Sequence, residues 1–199
     1  MHILGLCGSL RQHSYNRRLL AAAAQELPHD AAFLVFEDIA DIPPYNEDVD
    51  AAETPPAVQA LRRAIALASG VLITTPEYNG SVPGLLKNAI DWASRPYPDH
   101  VLRGKPVIVA GASISAYGAT LAQAELRRVL KVIGADVLEV ELPVAHAQEA
   151  FSADGRLADA QLRLQLASMV RNLGCTASHL REGVLLASRW RSRRAGLKP

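Results

Sequence analysis

Apolar residues in this chain fall into short runs separated by amphipathic stretches, and the two kinds alternate from end to end. His2 to Cys7 (HILGLC) is an apolar run ending in Gly8-Ser9, which reads as a strand entering a loop. Arg17 to Leu27 sets Leu19, Leu20, Ala23, Ala24 and Leu27 on one helical face, and Pro28 stops it. Ala32 to Phe36 (AFLVF) predicts a second strand. Asp38 to Pro56, with four prolines among acidic residues, predicts a loop long enough to carry function or packing. A helix over Val58 to Ala68 and a third strand over Gly70 to Thr75 (GVLITT) follow, the strand halting at Pro76. Val82 to Ser94 predicts a helix with Pro83 in its first turn, where a missing N–H is harmless. Lys105 to Ala112 is the fourth strand. Ala119 to Ile133 repeats apolar residues at 122, 126, 129, 130 and 133, a 3.6-residue period ended by Gly134. Asp136 to Leu142 predicts a fifth strand. Leu157 to about Leu180 predicts a last helix, with Leu162, Leu166, Met169 and Leu173 aligned.

Strands one, three and four are nearly all apolar, as strands covered on both faces must be, and this is the mark of a parallel sheet between helices. Five strand–helix units predict a three-layer, doubly wound α/β domain. The fifth strand alternates Val137, Val140 and Leu142 with Glu139 and Glu141, as an edge strand does. The chain shows no repeat and no second domain. One domain over residues 1–183 followed by a basic tail, 184–199, is the expected organisation.

The 199 residues are 49% hydrophobic and 21% charged, a globular composition. A domain of this size withdraws roughly 70% of its unfolded surface from water and needs neither disulfide nor metal to fold. Cys7 and Cys175 are too few for a disulfide scaffold or a structural zinc site and suit a reducing compartment. No stretch approaches the ~20 consecutive apolar residues of a membrane span. Met1 to Cys7 lacks a cationic n-region and reads as a buried strand rather than a signal peptide, so the cytoplasm is the expected location. Net charge is +1, but Arg181 to Pro199 holds six basic residues against Glu182. The rest of the chain is near −4, which argues against nucleic acid as a partner of the folded body. The basic end suits either an anionic partner or a solvated terminus.

In an open parallel sheet, ligands bind beyond the carboxyl ends of the strands. The loop Gly8 to Arg17 gathers Ser9, Ser14, Asn16, Arg11 and Arg17 at a helix start, where free N–H groups and the positive dipole end suit a phosphate dianion. It matches neither the P-loop nor the G-x-G-x-x-G turn and fits a monophosphate better than a pyrophosphate. The same Ser14 or Asn16 also suits a plain helix cap. A phosphatase reading of Cys7 and Arg11 lacks the required five intervening residues. The loop Thr75 to Gly84 places Tyr78 beside an Asn79-Gly80 turn, between Pro76 and Pro83, and suits an edge-on contact with a flat heteroaromatic ring. Ala112 to Gly118 is small and polar around Tyr117. His2, His13 and His146 stand alone, without the spacing of a metal site.

These residues carry a family resemblance. G-S-L-R-x-x-S-x-N-R at 8–17, T-P-E-Y-N-G-S-V-P-G-x-L-K-N-A-I-D-W at 75–92 and G-K-P-V at 104–107 resemble the NADPH-dependent FMN reductases, a flavodoxin-like group that includes bacterial chromate, quinone and azo reductases. The resemblance covers about Ile3 to Phe151. It implies a five-stranded parallel sheet in the order 2-1-3-4-5. It further implies that Ser9, Arg11, Ser14 and Asn16, with Tyr15 beside them, hold the FMN phosphate. Pro76, Glu77, Tyr78, Asn79 and Gly80 line the isoalloxazine, and Ser113, Tyr117 and Gly118 cover its other edge. Many relatives carry G-G-A-R-x-Q before the fourth helix; here the stretch is Gly118-Ala-Thr-Leu-Ala-Gln123, with Leu121 in place of the arginine.

The function implied is an FMN-dependent NAD(P)H oxidoreductase, with NADPH or NADH as co-substrate. Hydride passes through flavin to small acceptors: quinones, chromate, azo compounds or free flavin. Such chemistry needs no side-chain nucleophile. The alternative is a flavodoxin-type electron carrier without nicotinamide turnover, although carriers are usually strongly acidic. The resemblance also implies a homodimer or homotetramer, with Trp92, Arg95 and Tyr97 expected near the flavin rim as interface anchors.

Overall fold

The computed structural model describes residues 1–173. The rest of the last predicted helix, the boundary at 183, Cys175 and the basic tail lie outside them. The strands are β1 (His2–Cys7), β2 (Ala32–Phe36), β3 (Gly70–Thr75), β4 (Pro106–Ala112), β5 (Asp136–Val137) and β6 (Pro143–Val144). They form one parallel sheet in the order β2-β1-β3-β4-β5, with β6 also on β4. Helices are α1 (Tyr15–Gln25), α2 (Glu47–Ala52), α3 (Pro56–Leu67), α4 (Gly84–Ala93) and α5 (Thr120–Val132), and residues 160–173 form another.

Period-two alternation along the buried strands sends successive residues to opposite faces, and each face carries its own core. Leu4, Leu6, Val71, Ile73, Val107 and Val109 meet Leu61, Ile65, Leu86, Ile90, Leu126 and Leu130 of α3, α4 and α5. Ile3, Leu72, Ile108 and Ala110 face the other way, toward Leu19, Leu20 and Ala23 of α1 and toward Leu166, Met169 and Val170. All seven residues of β4 and all six of β3 are buried, which is why neither alternates in sequence.

Two stretches differ from the sequence expectation. The long loop after β2 contains a 3₁₀ turn (Asp38–Asp41) and α2, a six-residue helix with acidic residues in its first turn, capped by Asn46 accepting from the Asp48 N–H at 3.0 Å. The fifth strand is two short pieces, β5 and β6; between them Leu138 and Leu142 still bond to β4, while residues 139–141 make no hydrogen bond to it. Glu139 and Glu141 in that interval reach sideways to Lys131 and Arg127 of α5. An edge strand that leaves the ladder this way offers no continuous row of unpaired backbone groups.

Trp92 corrects another expectation. It is fully buried in the α3–α4 core rather than on a rim. Its indole N–H donates to the Pro43 carbonyl at 2.7 Å, and Tyr45 packs edge-on to it at 5.0 Å. Arg62 donates to the Trp92 carbonyl and binds Asp50 bidentately at 2.9 and 2.7 Å, which pulls the Asp50 carboxyl below its ordinary range. Trp92 therefore anchors the loop after β2. Arg95 follows the end of α4, its guanidinium half-buried against the Tyr45 ring and hydroxyl.

Candidate functional site: a cradle at the carboxyl edge of the sheet

The carboxyl ends of β1, β3 and β4 bring the three singled-out loops together. A Cβ added at Gly8 would lie 2.9 Å from Leu86 Cδ2 of α4 and 3.3 Å from Pro76 Cδ, so a larger residue here would press on both. Asn16 joins α1 to the end of β4: its side-chain N–H donates to the Ala112 carbonyl and its Oδ1 accepts the Ala112 N–H, both at 2.9 Å. Thr74 Oγ1 donates to the Asn16 carbonyl at 3.0 Å. The helix start is thereby pinned across two strands.

Ser14 is the N-cap of α1, its Oγ accepting from the N–H groups of Asn16 at 3.2 Å and Arg17 at 3.4 Å. Ser9 is buried and its Oγ accepts the Arg11 N–H at 3.4 Å. Capping does not exhaust the loop. The main-chain N–H groups of Ser9, Leu10, Gln12, His13 and Tyr15 have no acceptor among the described residues. Five such donors, one on the first residue of an eleven-residue helix and four in the loop leading into it, with hydroxyls that keep a proton to donate, suit a phosphate dianion. The Arg11 guanidinium lies 5.0 Å over the Tyr15 ring and donates to the His13 carbonyl at 2.8 Å. It borders an open depression of about 570 Å³ that runs along α1 past Arg17 and Arg18. Arg17 turns to Glu37, whose carboxylate raises its pKa. Tyr15 stacks on Phe151 at 6.5 Å.

The second loop is a two-residue hairpin. Tyr78 and Ser81 exchange N–H···O bonds at 3.1 Å, with Asn79 and Gly80 at φ of 54° and 75°, the backbone of a type I′ turn. Glu77, a residue expected to line a ring, also accepts from the N–H groups of Leu121 at 2.9 Å and Ala122 at 3.1 Å. It thus caps α5 from another loop. Glu125 answers from the helix, accepting from Ser81 Oγ at 2.7 Å and the Val82 N–H at 3.2 Å, and the Ser81 bond holds its carboxyl below the ordinary range. Sequence reasoning named Glu77 for the ring but missed its cap on α5 and missed Glu125, because each partner lies 43 to 45 residues away in the chain.

The third loop is held by Ser113, whose N–H donates to Val144 at 3.0 Å and whose Oγ accepts the Ser115 N–H at 3.2 Å. The Ser115 carbonyl in turn accepts the His146 N–H at 3.2 Å, so His146 closes the far end of this edge. Tyr117 is exposed. Gly118, at φ 56°, packs so tightly on β6 that a Cβ would meet the Pro143 carbonyl carbon at 2.5 Å.

A doubly wound parallel sheet in the order β2-β1-β3-β4-β5, with an anion-ready first crossover and a hairpin beside it, is a flavodoxin-like architecture. The chain belongs to the NADPH-dependent FMN reductase family, whose sequence profile matches residues 1–149. It is 42% identical over 180 residues to an NAD(P)H-dependent FMN reductase of Pseudomonas aeruginosa, covering 90% of this chain and 96% of that one. It is 43% identical over 139 residues to a quinone reductase of Escherichia coli K12, covering 69% and 73%. Among solved structures it resembles FerB, a flavoenzyme NAD(P)H:acceptor oxidoreductase of Paracoccus denitrificans, with a TM-score of 0.78 and 36% identity over 89% of this chain and 97% of that one.

Proposed function

We propose that this chain binds FMN along the carboxyl edge and transfers reducing equivalents from NADPH or NADH to a small acceptor of the quinone class. The observation that carries the reading is the set of unpaired N–H donors at the start of α1, set against the rigid hairpin of the second loop. FMN, when bound, supplies the two-electron relay between nicotinamide and acceptor. Ser9, Arg11, Ser14 and the N–H of Tyr15 hold the phosphate, while Asn16 acts through its hold on Ala112. Pro76, Glu77, Tyr78, Asn79 and Gly80 present main chain to the ring, and Ser113, Tyr117 and Gly118 face its other edge. The chain's work is to bind, orient and exclude water. A carrier reading draws no support from relatives named as reductases.

We infer also a homodimer or homotetramer in the cytoplasm, where the nicotinamide donor is found. Exposed Tyr97 supports the first inference. In the test, FMN-loaded protein is mixed anaerobically with NADPH or NADH. Its yellow band should bleach and then return on adding a quinone. Loaded protein that neither nucleotide bleaches sinks the reading.

A further inference from the structure

The second and third loops and the first turn of α5 form one rim of the site, and it lacks positive charge. Residues 76–83 and 112–122 contain no lysine or arginine and a single acid, Glu77. The side chains exposed there are uncharged: the large ones are apolar or aromatic, with Tyr78 53% exposed, Leu121 60%, Ile114 66% and Tyr117 75%, and Asn79 and Ser115 are neutral polar groups among them. Leu121 stands beside the hairpin, its Cδ1 3.8 Å from where a Cβ on Gly80 would lie.

Beside the start of α4 at Gly84, the start of α5 supplies positive potential to this rim. Glu77 cancels it, its carboxylate resting on the Leu121 and Ala122 N–H groups at 2.9 and 3.1 Å. The Glu125 bonds to Ser81 and Val82 tie the hairpin back to the same helix, so Glu77 is held at that helix end. An anionic acceptor arriving here loses hydration and meets a carboxylate and hydrocarbon. A neutral ring loses only unfavourable contact with water.

We propose that this rim selects uncharged, apolar acceptors, quinones without acidic substituents, over oxyanions and sulfonated acceptors, with Leu121 and the Glu77-capped start of α5 setting that specificity. The inference rests on the reductase reading above. The chemistry is consistent with it: a quinone, NAD(P)H and one proton give a hydroquinone and NAD(P)⁺. Two electrons and one hydrogen come from the dihydronicotinamide and the second proton from solvent. The acceptor enters neutral and leaves neutral, so the rim never has to hold its charge.

The test isolates the acceptor step. FMN-loaded enzyme is photoreduced without nicotinamide and mixed with 1,4-naphthoquinone or with 1,4-naphthoquinone-2-sulfonate. The readout is the ratio of rate constants, sulfonate to parent, in each variant relative to wild type. Leu121→Arg and Leu121→Lys, at an exposed position, should each raise that ratio about tenfold at low salt, equivalent to about 1.4 kcal/mol. The gain should collapse at about 1 M salt, where the screening length is only about 3 Å. Leu121→Met, uncharged, should leave the ratio within about twofold, as the charge account requires. A ratio unmoved by both cationic variants overturns the proposal, and so does a gain that salt leaves intact. Failure of the reductase reading is seen separately, as wild type that NADPH and NADH do not bleach, because photoreduction bypasses the nucleotide.

Discussion

The hydroxyl of Ser14 accepts from two main-chain N–H groups, and an accepting hydroxyl still has its own proton to give. A capping role and a phosphate role therefore coexist on one oxygen. Arg11 is different, because its guanidinium is already engaged with the His13 carbonyl and the Tyr15 ring. A phosphate must compete with those contacts. A charge-assisted bond is worth about 1.5–3 kcal/mol before such competition. Arg11→Ala should therefore weaken FMN about tenfold, at the low end of that range. Riboflavin, which lacks the phosphate, should bind the variant as it binds wild type. Calorimetry with both ligands decides it, and equal weakening removes the phosphate assignment. His100 offers a second residue-scale test. It is buried, and neither ring nitrogen has a hydrogen-bond partner among the described residues. Burial, aided by Arg103 and Arg95 against Asp99 and the Ile133 carbonyl, lowers its pKa below 6.5. The unfolded chain then takes up a proton that the folded ring refuses, so stability should fall as pH drops below about 6.5. In His100→Leu that limb of the urea-midpoint profile should flatten; an unchanged profile refutes it.

Among the elements, α1 shows most directly how a helix is fixed in place. Asn16 has both ends of its amide on Ala112, 96 residues away, and Thr74 holds its carbonyl. Asn16→Leu would leave the Ala112 N–H and C=O buried and unpaired, a loss of about 2–4 kcal/mol. At about 2–4 °C per kcal/mol for a chain of this size, the melting temperature should drop by roughly 5–15 °C. FMN affinity should fall with it, because the phosphate loop moves with the helix; a variant as stable as wild type contradicts this. The amphipathic helices were legible because their apolar period reports the buried face directly. Helix α2 was not, since six largely polar residues carry no such period, and a cap alone marks its start. The broken fifth strand was equally hidden: the alternation of 136–142 is real, but Glu139 and Glu141 use it to reach α5 rather than to extend the ladder.

At the scale of the whole molecule, two cores on opposite faces of one sheet leave the carboxyl edge free for function. Tyr97, 73% exposed, is the kind of aromatic anchor on which the proposed oligomer would form. Light scattering at micromolar concentration should report a dimer or tetramer, and a monomer refutes the inference. Arg95 also belongs at this scale. It packs over Tyr45 at 5.4 Å and donates to the Tyr45 hydroxyl at 3.0 Å, beside a depression of about 660 Å³ reached by Tyr97. Adjacency in sequence to Trp92 suggested one rim cluster. The structure buries the indole in the core and leaves the guanidinium half-buried, the two meeting through Tyr45 between them.

Hydropathy and punctuation along the chain were enough to determine the strand–helix alternation and the parallel, twice-covered sheet. They also determined which three loops end at its carboxyl edge, since these depend on local period and on turn residues. The motif at 75–92 was enough to indicate a flavin. Tertiary structure alone decided which polar groups are already occupied. Glu77 became a helix cap, Asn16 a bridge between α1 and β4, and Trp92 a core anchor, because each partner lies 44 to 96 residues away. A side chain's free hydrogen-bonding capacity depends on neighbours brought by folding, and no local pattern encodes them.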